Sequence, residues 1–146
     1  MNSIPQVLLA DDNPADTDPA RDTLARSPWP SQVRAVADGE QAMAVPYRLG
    51  KYAHEVSPDL VVLDLNMPRK DGRAVLAEVK ADPFLGTTPV AVFSASRAGR
   101  DVPRSYELGA NSYVRKPGNL HDFVSAVESI SAFWFGCARL LRKEDK

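Results

Sequence analysis

The stretch QVLLADDNPAD, residues 6–16, carries the strongest structural signal in this sequence. Four apolar residues, 7–10, run without a break into two adjacent carboxylates, Asp11 and Asp12. A short continuous apolar run is typical of a strand that is buried on both faces of a parallel sheet. Two neighbouring acids repel each other and are costly to bury, so their place at a strand end indicates a site for a positive group.

Length and composition indicate one globular domain. The chain has 146 residues, of which 44% are hydrophobic and 25% are charged, and this is enough to form a single core. The formal net charge of −1 gives no overall attraction to nucleic acid or to an anionic membrane. The single cysteine, Cys137, excludes an intrachain disulfide and favours a cytoplasmic location. The sequence has neither a signal-peptide pattern nor an apolar run of membrane-spanning length.

Apolar runs that predict strands alternate with stretches that predict helices. The predicted strands are VLLA (7–10), QVRAVA (32–37), LVVLDL (60–65), VAVFSAS (90–96) and NSYVRKP (111–117). The predicted helices cover 18–27, 38–56, 71–82, 101–110 and 119–146. Asp18 and Pro19 suit the start of the first helix, Asp38 and Gln41 are spaced as a capping box, and Pro46 should interrupt the second helix.

This alternation predicts an α/β fold with one five-stranded parallel sheet. Helices should cover both faces of the sheet, because parallel strands need crossover connections. The predicted arrangement is the doubly wound (βα)5 sandwich of flavodoxin-like type, with strand order 2-1-3-4-5 and an extended C-terminal helix. Ligands bind such sheets outside the carboxyl ends of the strands.

Five polar side chains follow the predicted strands at that edge. Asp11 and Asp12 follow the first strand, and Asp64, Ser94 and Lys116 come at the ends of the third, fourth and fifth. Three carboxylates beside one ammonium need a further positive charge, and Mg²⁺ suits them because it prefers oxygen ligands. With the cation bound, a carboxylate can attack a phosphoryl group whose oxygens the cation and the lysine neutralise, and a hydroxyl can hydrogen-bond the product.

Four motifs carry a resemblance to a known family. LLADDN (8–13), VVLDLNMPRKDG (61–72), FSAS (93–96) and YVRKPG (113–118) occur in this order and span nearly the whole chain. They resemble the receiver domain of two-component response regulators. The resemblance implies that Asp64 accepts a phosphoryl group from a histidine kinase. It also implies that Asp12, Asp64 and the backbone carbonyl of Asn66 bind Mg²⁺, with Asp11 reaching the cation through water.

The same resemblance assigns the remaining roles at the site. Lys116 would contact the phosphoryl group, and Ser94 would be the switch hydroxyl. Tyr113 would hold the rotating aromatic position, and the Lys116–Pro117 bond is often cis in the family. Ser94 could instead be a small packing residue, and Tyr113 a half-buried aromatic of a strand. The protein would be a signalling switch rather than an enzyme, with a protein-interaction surface that changes on phosphorylation.

A longer segment narrows the resemblance. SRAGRDVPRSYELGANSYVRKPGNL (96–120), together with FWF (133–135), is similar to single-domain response regulators that are paired with phytochromes. The resemblance implies a red-light-sensing histidine kinase as the partner. Residues 1–146 would form a single receiver domain, with 129–146 as a C-terminal helix extension and no output domain.

The last predicted helix carries more apolar surface than one core can cover. One stripe at helical spacing suits the core; it comprises Leu120, Phe123, Val127, Ile130, Trp134, Ala138 and Leu141. Other apolar residues widen this band and predict a homodimer through the helix; the predicted interface is Phe133, Trp134, Phe135, Cys137 and Leu140. The alternative is a helix that folds back over its own domain.

Other functions remain open at the level of sequence. A Mg²⁺-dependent phosphatase with an aspartyl nucleophile would use similar chemistry. Enzymes of the haloacid dehalogenase type have an Asp-x-Asp motif at the nucleophile, whereas here Asp64 is followed at that spacing by Asn66. A binding module that works without phosphorylation is a further alternative, against which the intact acidic residues and Lys116 argue. A transcription factor is not favoured, because no helix-turn-helix segment follows.

Overall fold

The computed structural model describes residues 4–47, 49–52 and 56–142. Five strands form one parallel sheet: β1 (Gln6–Ala10), β2 (Gln32–Val36), β3 (Leu60–Leu63), β4 (Val90–Ser94) and β5 (Ser112–Arg115). Their order is β2-β1-β3-β4-β5, and all four pairings are parallel. The predicted fold class and strand order are therefore confirmed.

In the described part of the chain, five helices connect and cover the strands. They are α1 (Pro14–Arg26), α2 (Gly39–Ala44), α3 (Gly72–Ala81), α4 (Asp101–Glu107) and α5 (Leu120–Ser131), and a short 3₁₀ turn covers Gly50–Tyr52. As predicted, Asp38 caps α2 by accepting the N–H of Gln41 at 2.8 Å, and α2 ends two residues before Pro46.

The core lies in two layers because alternate residues of each strand point to opposite faces. On β1, Leu8 and Ala10 belong to the layer beneath α2 and α3. Val7 and Leu9 belong to the layer beneath α1 and α5. Below, these are called the first and second core layers. Of the helices in the described residues, none is long and apolar enough to cross a membrane.

The first helix begins earlier than predicted. Its N-cap is Asn13, whose side chain accepts the N–H of Ala15 at 3.0 Å, so the predicted start at Asp18 and Pro19 is wrong. Asn13 followed by Pro14 is itself a favourable cap and first position. Pro19 consequently lies inside the helix.

The C-terminal helix is present, but it is shorter than the predicted extension over 129–146. After α5, a π-helical segment covers Ala132–Cys137, and Ala138 is already extended, with φ −75° and ψ 151°. The chain then folds back toward the start of β3, where Arg142 lies 3.4 Å from Asp59. Residues 143–146 of the predicted extension lie outside the described residues.

Candidate functional site

The carboxyl edge of the sheet brings the predicted acids together. Asp11 and Asp64 directly follow two neighbouring strands, β1 and β3, and the N–H of Asp64 donates to the carbonyl of Ala10 at 2.9 Å. One oxygen from each of Asp11, Asp12 and Asp64 lies within 4.8 Å of the others. Asp11 and Asp64 are buried, whereas Asp12 is exposed. The cluster is therefore open to solvent on the side of Asp12.

Gly72 allows α3 to start directly behind the acidic cluster. A Cβ atom at this position would lie 2.1 Å from the carbonyl oxygen of Asp64. The N–H of Gly72 donates to the carbonyl of Leu65 at 2.8 Å, which closes the loop between β3 and α3. The glycine of the DG pair in VVLDLNMPRKDG is thus required by close backbone packing.

Lys116 lies among the acids, as its place after β5 predicted. Its Nζ donates to Oδ2 of Asp11 at 2.5 Å, of Asp16 at 2.9 Å and of Asp64 at 3.3 Å. The backbone N–H of Lys116 donates to the carbonyl of Ser94 at 2.9 Å. The bond between Lys116 and Pro117 is trans, since the described residues contain no cis peptide bond.

Burial and neighbouring charges shift the pKa values of Asp11 and Lys116 in opposite directions. Burial raises the pKa of Asp11, although hydrogen bonds from Lys116 and from the N–H of Asn13 oppose the rise. Burial alone would lower the pKa of Lys116, but hydrogen bonds to Asp11 and Asp16 and the charge of Asp64 outweigh it and raise that pKa to about 12. Lys116 is therefore positively charged at neutral pH.

The donor set fits a hard divalent cation. Three carboxylates converge, all available ligand atoms are oxygens, and one acid faces solvent as an entry side. Oxygen ligands with room for bound water suit Mg²⁺, Ca²⁺ and Mn²⁺ rather than soft metals. Asn66 lies beside this set, and its N–H donates to Oδ1 of Asp64 at 3.4 Å.

Ser94 and Tyr113 lie on the side of the site next to β4 and β5. Ser94 is fully buried at the end of β4. Burial, followed by the charge of Asp101, raises the pKa of Tyr113, and the nearby Ser94 hydroxyl acts in the opposite direction. Within the described part of the chain, the Tyr113 hydroxyl is buried and makes no hydrogen bond. The Tyr113 ring, packed against the first core layer, thus points inward.

Three site-related residues were not predicted. Asp16 in the first turn of α1 accepts a hydrogen bond from Nζ of Lys116 at 2.9 Å, and no role was predicted for it from the sequence. Arg73 and Asp101 form an ion pair of 2.8 Å between α3 and α4. Asp16 would fall in the first helical turn only if Asn13 and Pro14 were taken as the helix start; Arg73 and Asp101 lie 28 residues apart and carry no local signal.

The residues predicted for a dimer interface do not share one environment. Phe133 is 53% exposed, and Cys137 is also exposed. Trp134 and Phe135 are half-buried against the second core layer. Leu140 is only 7% exposed, so in the folded single chain its side chain offers little surface to a partner. The apolar stripe is wrong at its first member, since Leu120 is 64% exposed.

Comparison with known proteins defines the class. The family model described as the response regulator receiver domain matches residues 7–128. The chain therefore belongs to the response regulator receiver domain family and is part of a signalling protein.

Individual relatives narrow the similarity. The response regulator Rcp1 of Synechocystis sp. is 41% identical over 128 residues, which cover 88% of this chain and 87% of Rcp1. The crystal structure of the phosphorylated cyanobacterial phytochrome response regulator RcpA superimposes with a TM-score of 0.92 and 42% identity, covering 96% of this chain and all (100%) of that chain. The Mn²⁺-bound form of Rcp1 gives a TM-score of 0.91 at 38% identity, covering 94% of this chain and 99% of that one. The acidic cluster, with a Mn²⁺-bound relative, indicates a divalent-cation site in this chain.

Proposed function

We propose that this chain receives a phosphoryl group on Asp64 from a histidine kinase and then changes a protein-interaction surface. The observation that supports this most strongly is the Lys116 ammonium held by Asp11, Asp16 and Asp64 at the carboxyl edge of the sheet. A buried cation beside a carboxylate is what an incoming phosphoryl group needs to neutralise its oxygens.

In the proposed transfer, one Asp64 oxygen attacks phosphorus and forms the new O–P bond of an acyl phosphate. The P–N bond of a phosphohistidine breaks, and its electron pair returns to the imidazole, which takes up a proton. Lys116 moves its contacts from the carboxylates to the phosphoryl oxygens. Asp12, Asp64 and the backbone carbonyl of Asn66 would hold Mg²⁺, with Asp11 acting through water, and the cation would supply further positive charge at the phosphoryl oxygens.

Ser94 and Tyr113 would convert this chemistry into a structural change. The phosphoryl group adds about −1.5 to −2 charges and three strong acceptor oxygens. The Ser94 hydroxyl would donate to one of them, and Tyr113 would adjust its packing above Ser94. The surface formed by α4, β5 and α5 would then differ between the two states.

We further propose a phytochrome-type, red-light-sensing kinase as the phosphoryl donor. This rests on the similarity to RcpA, a phytochrome response regulator, and on the segment 96–120. We place the exchange in the cytoplasm, which the single cysteine favours.

A second copy of the chain is proposed as a further partner. Phe133 and Cys137, both exposed on the π-helical segment, would lie at a twofold interface, with Trp134 and Phe135 partly available at its edge. Light scattering measures this directly, because a dimer has twice the 15.9 kDa mass of the chain.

The phosphoryl transfer is tested with a phosphorylated candidate kinase and Mg²⁺, and intact-protein mass spectrometry follows the regulator. The wild type should gain one phosphoryl group, and Asp64→Asn should gain none. Asp22→Asn, a change at an exposed acid on the outer side of α1, should behave as the wild type. Equal labelling of Asp64→Asn would contradict the proposal, and repeated turnover of a small phosphoester would favour a phosphatase instead.

A further inference from the structure

Arg73 connects the two loops that flank the phosphoacceptor. Its Nη1 contacts both carboxylate oxygens of Asp71, the N-cap of α3, at 3.2 and 3.1 Å. Its Nε and Nη2 donate to the two oxygens of Asp101 at 3.2 and 2.8 Å. Asp71 ends the loop that starts at Asp64, and Asp101 ends the loop that starts at Ser94. A bidentate contact of this kind fixes the orientation of the Arg73 guanidinium as well as its distance from the carboxylate.

Asp101 is in turn connected to Ser94. It is only 2% exposed, and the Ser96 hydroxyl donates to its Oδ2. The backbone N–H of Ser96 donates to Oγ of Ser94 at 3.3 Å. Ser94 Oγ accepts this hydrogen bond, and a hydroxyl that accepts one hydrogen bond keeps its own proton to donate.

Both members of the ion pair are held in their charged forms. The hydrogen bonds from Arg73 and then from Ser96 lower the pKa of Asp101. The hydrogen bond to Asp101 raises the pKa of Arg73 against the effect of partial burial. Both groups of the ion pair are therefore charged at neutral pH.

We propose that Arg73 and Asp101 are positioning residues that hold the Ser94 hydroxyl ready to donate to a phosphoryl group on Asp64. This inference rests on the proposed function of Asp64. Arg73 fixes Asp101, Asp101 fixes Ser96, and the Ser96 amide orients Ser94. A simple brace between α3 and α4 would require only the ion pair and would not depend on Ser94.

The test measures the affinity for beryllofluoride, a tetrahedral phosphoryl mimic that binds a carboxylate oxygen, in the presence of Mg²⁺. Asp101→Asn keeps an acceptor for Ser96 but removes the charge that orients Arg73. It should weaken binding about threefold to tenfold, and Ser94→Ala should weaken it about tenfold, because each disturbs one hydrogen bond to a charged group. In the S94A background, adding Asp101→Asn should cause no further loss.

Arg73→Gln provides an independent variant should Asp101→Asn fold poorly, and it should repeat the same dependence on Ser94. The matched control is Arg104→Gln, which removes an exposed α4 arginine whose ion pair with Glu107 spans 3.4 Å; its affinity should equal that of the wild type.

Equal losses in both Ser94 backgrounds, or a lower melting temperature with unchanged affinity, would overturn the inference and leave the phosphoacceptor proposal standing. A wild type that binds no beryllofluoride, or an Asp64→Asn variant that binds it equally well, would overturn the proposed function and this inference together.

Discussion

The Lys116 ammonium and a divalent cation compete for the same carboxylates. Nζ of Lys116 contacts Asp11 and Asp64, and both also belong to the oxygen cluster that fits a metal. Each positive group neutralises the acids, but each also repels the other. Two unit charges about 4 Å apart repel by on the order of 4 kcal/mol near a protein surface, and the double charge of the cation doubles this figure. The positive charge of Lys116 therefore weakens the binding of a cation at this site.

Replacement of Lys116 by Met should therefore raise the affinity of the site for Mg²⁺. We expect an increase of at least about tenfold, or 1.4 kcal/mol, since only part of the repulsion must be removed to reach it. Titration calorimetry without any phosphodonor measures this affinity. Arg115→Met removes an exposed charge one residue away and should change the affinity by less than about twofold, because salt screens exposed charges. Weaker Mg²⁺ binding by Lys116→Met would contradict the argument.

For individual residues of the site, sequence reasoning located those at strand ends and missed those that reach the site through tertiary contacts. Asp11, Asp12, Asp64 and Lys116 converge because parallel strands end at one edge, which the alternation of the chain already implied. Asp16 reaches Lys116 only because α1 starts at Pro14 rather than at Pro19. A one-turn error in a helix start was enough to hide a contact of the central lysine.

The helices show how local signals compete. Both Asn13–Pro14 and Asp18–Pro19 are sound N-terminal signals, and the earlier one prevails. The contact between Asp16 and Lys116 at 2.9 Å anchors the first turn of the helix that begins at Pro14. Sequence alone offers no measure of that anchoring, since the two residues are 100 positions apart.

The end of the last helix contacts a side chain from a distant loop. Trp29, in the loop after α1, packs on the backbone of Gly136, where a Cβ atom would lie 2.6 Å from Cε2 of the ring. The wide turn closes with the N–H of Ala138 donating to the carbonyl of Phe133 at 2.6 Å. The apolar stripe predicted a regular helix past this point because periodicity carries no information about the Trp29 ring.

Replacement of Gly136 by Ala should destabilise the protein, although the same change inside an ordinary helix stabilises by about 0.5–1 kcal/mol. The Cβ must displace the Trp29 ring, and overpacking of this kind costs about 1–3 kcal/mol. Thermal unfolding followed by tryptophan fluorescence gives the change in stability.

Two comparisons separate the clash from other effects. Gly118→Ala meets no atom within 4 Å and should be close to neutral. The Trp29→Ala background should cancel the penalty of Gly136→Ala, because the obstructing ring is gone. A more stable Gly136→Ala single variant would show that helix propensity dominates at this position.

The whole molecule follows from repeated use of one rule. Each strand is followed by a helix that forms the crossover connection to the next parallel strand. The sheet order and both core layers could therefore be predicted from the sequence. The turn of residues 138–142 back toward β3 could not be predicted in this way. Leu140 is buried, and Arg142 lies 3.4 Å from Asp59, so part of the apolar surface that indicated a partner is covered by the chain itself. The surface left for a second copy is smaller than the sequence suggests.

This reduced surface makes the dimer prediction specific to Phe133. Its side chain is 53% exposed and stacks edge-on against Trp134, with ring centroids 5.1 Å apart. A twofold interface uses each residue twice, so Phe133→Ala removes two buried aromatic side chains, each contributing about 1.5–3 kcal/mol. The dissociation constant of the dimer should rise at least tenfold, which light scattering over a concentration series measures.

Leu120→Ala, a change at an exposed apolar residue at the opposite end of α5, should leave the mass distribution unchanged. Association that persists in Phe133→Ala but is lost in Leu120→Ala would move the interface to the other end of the helix, and a monomeric wild type would rule it out.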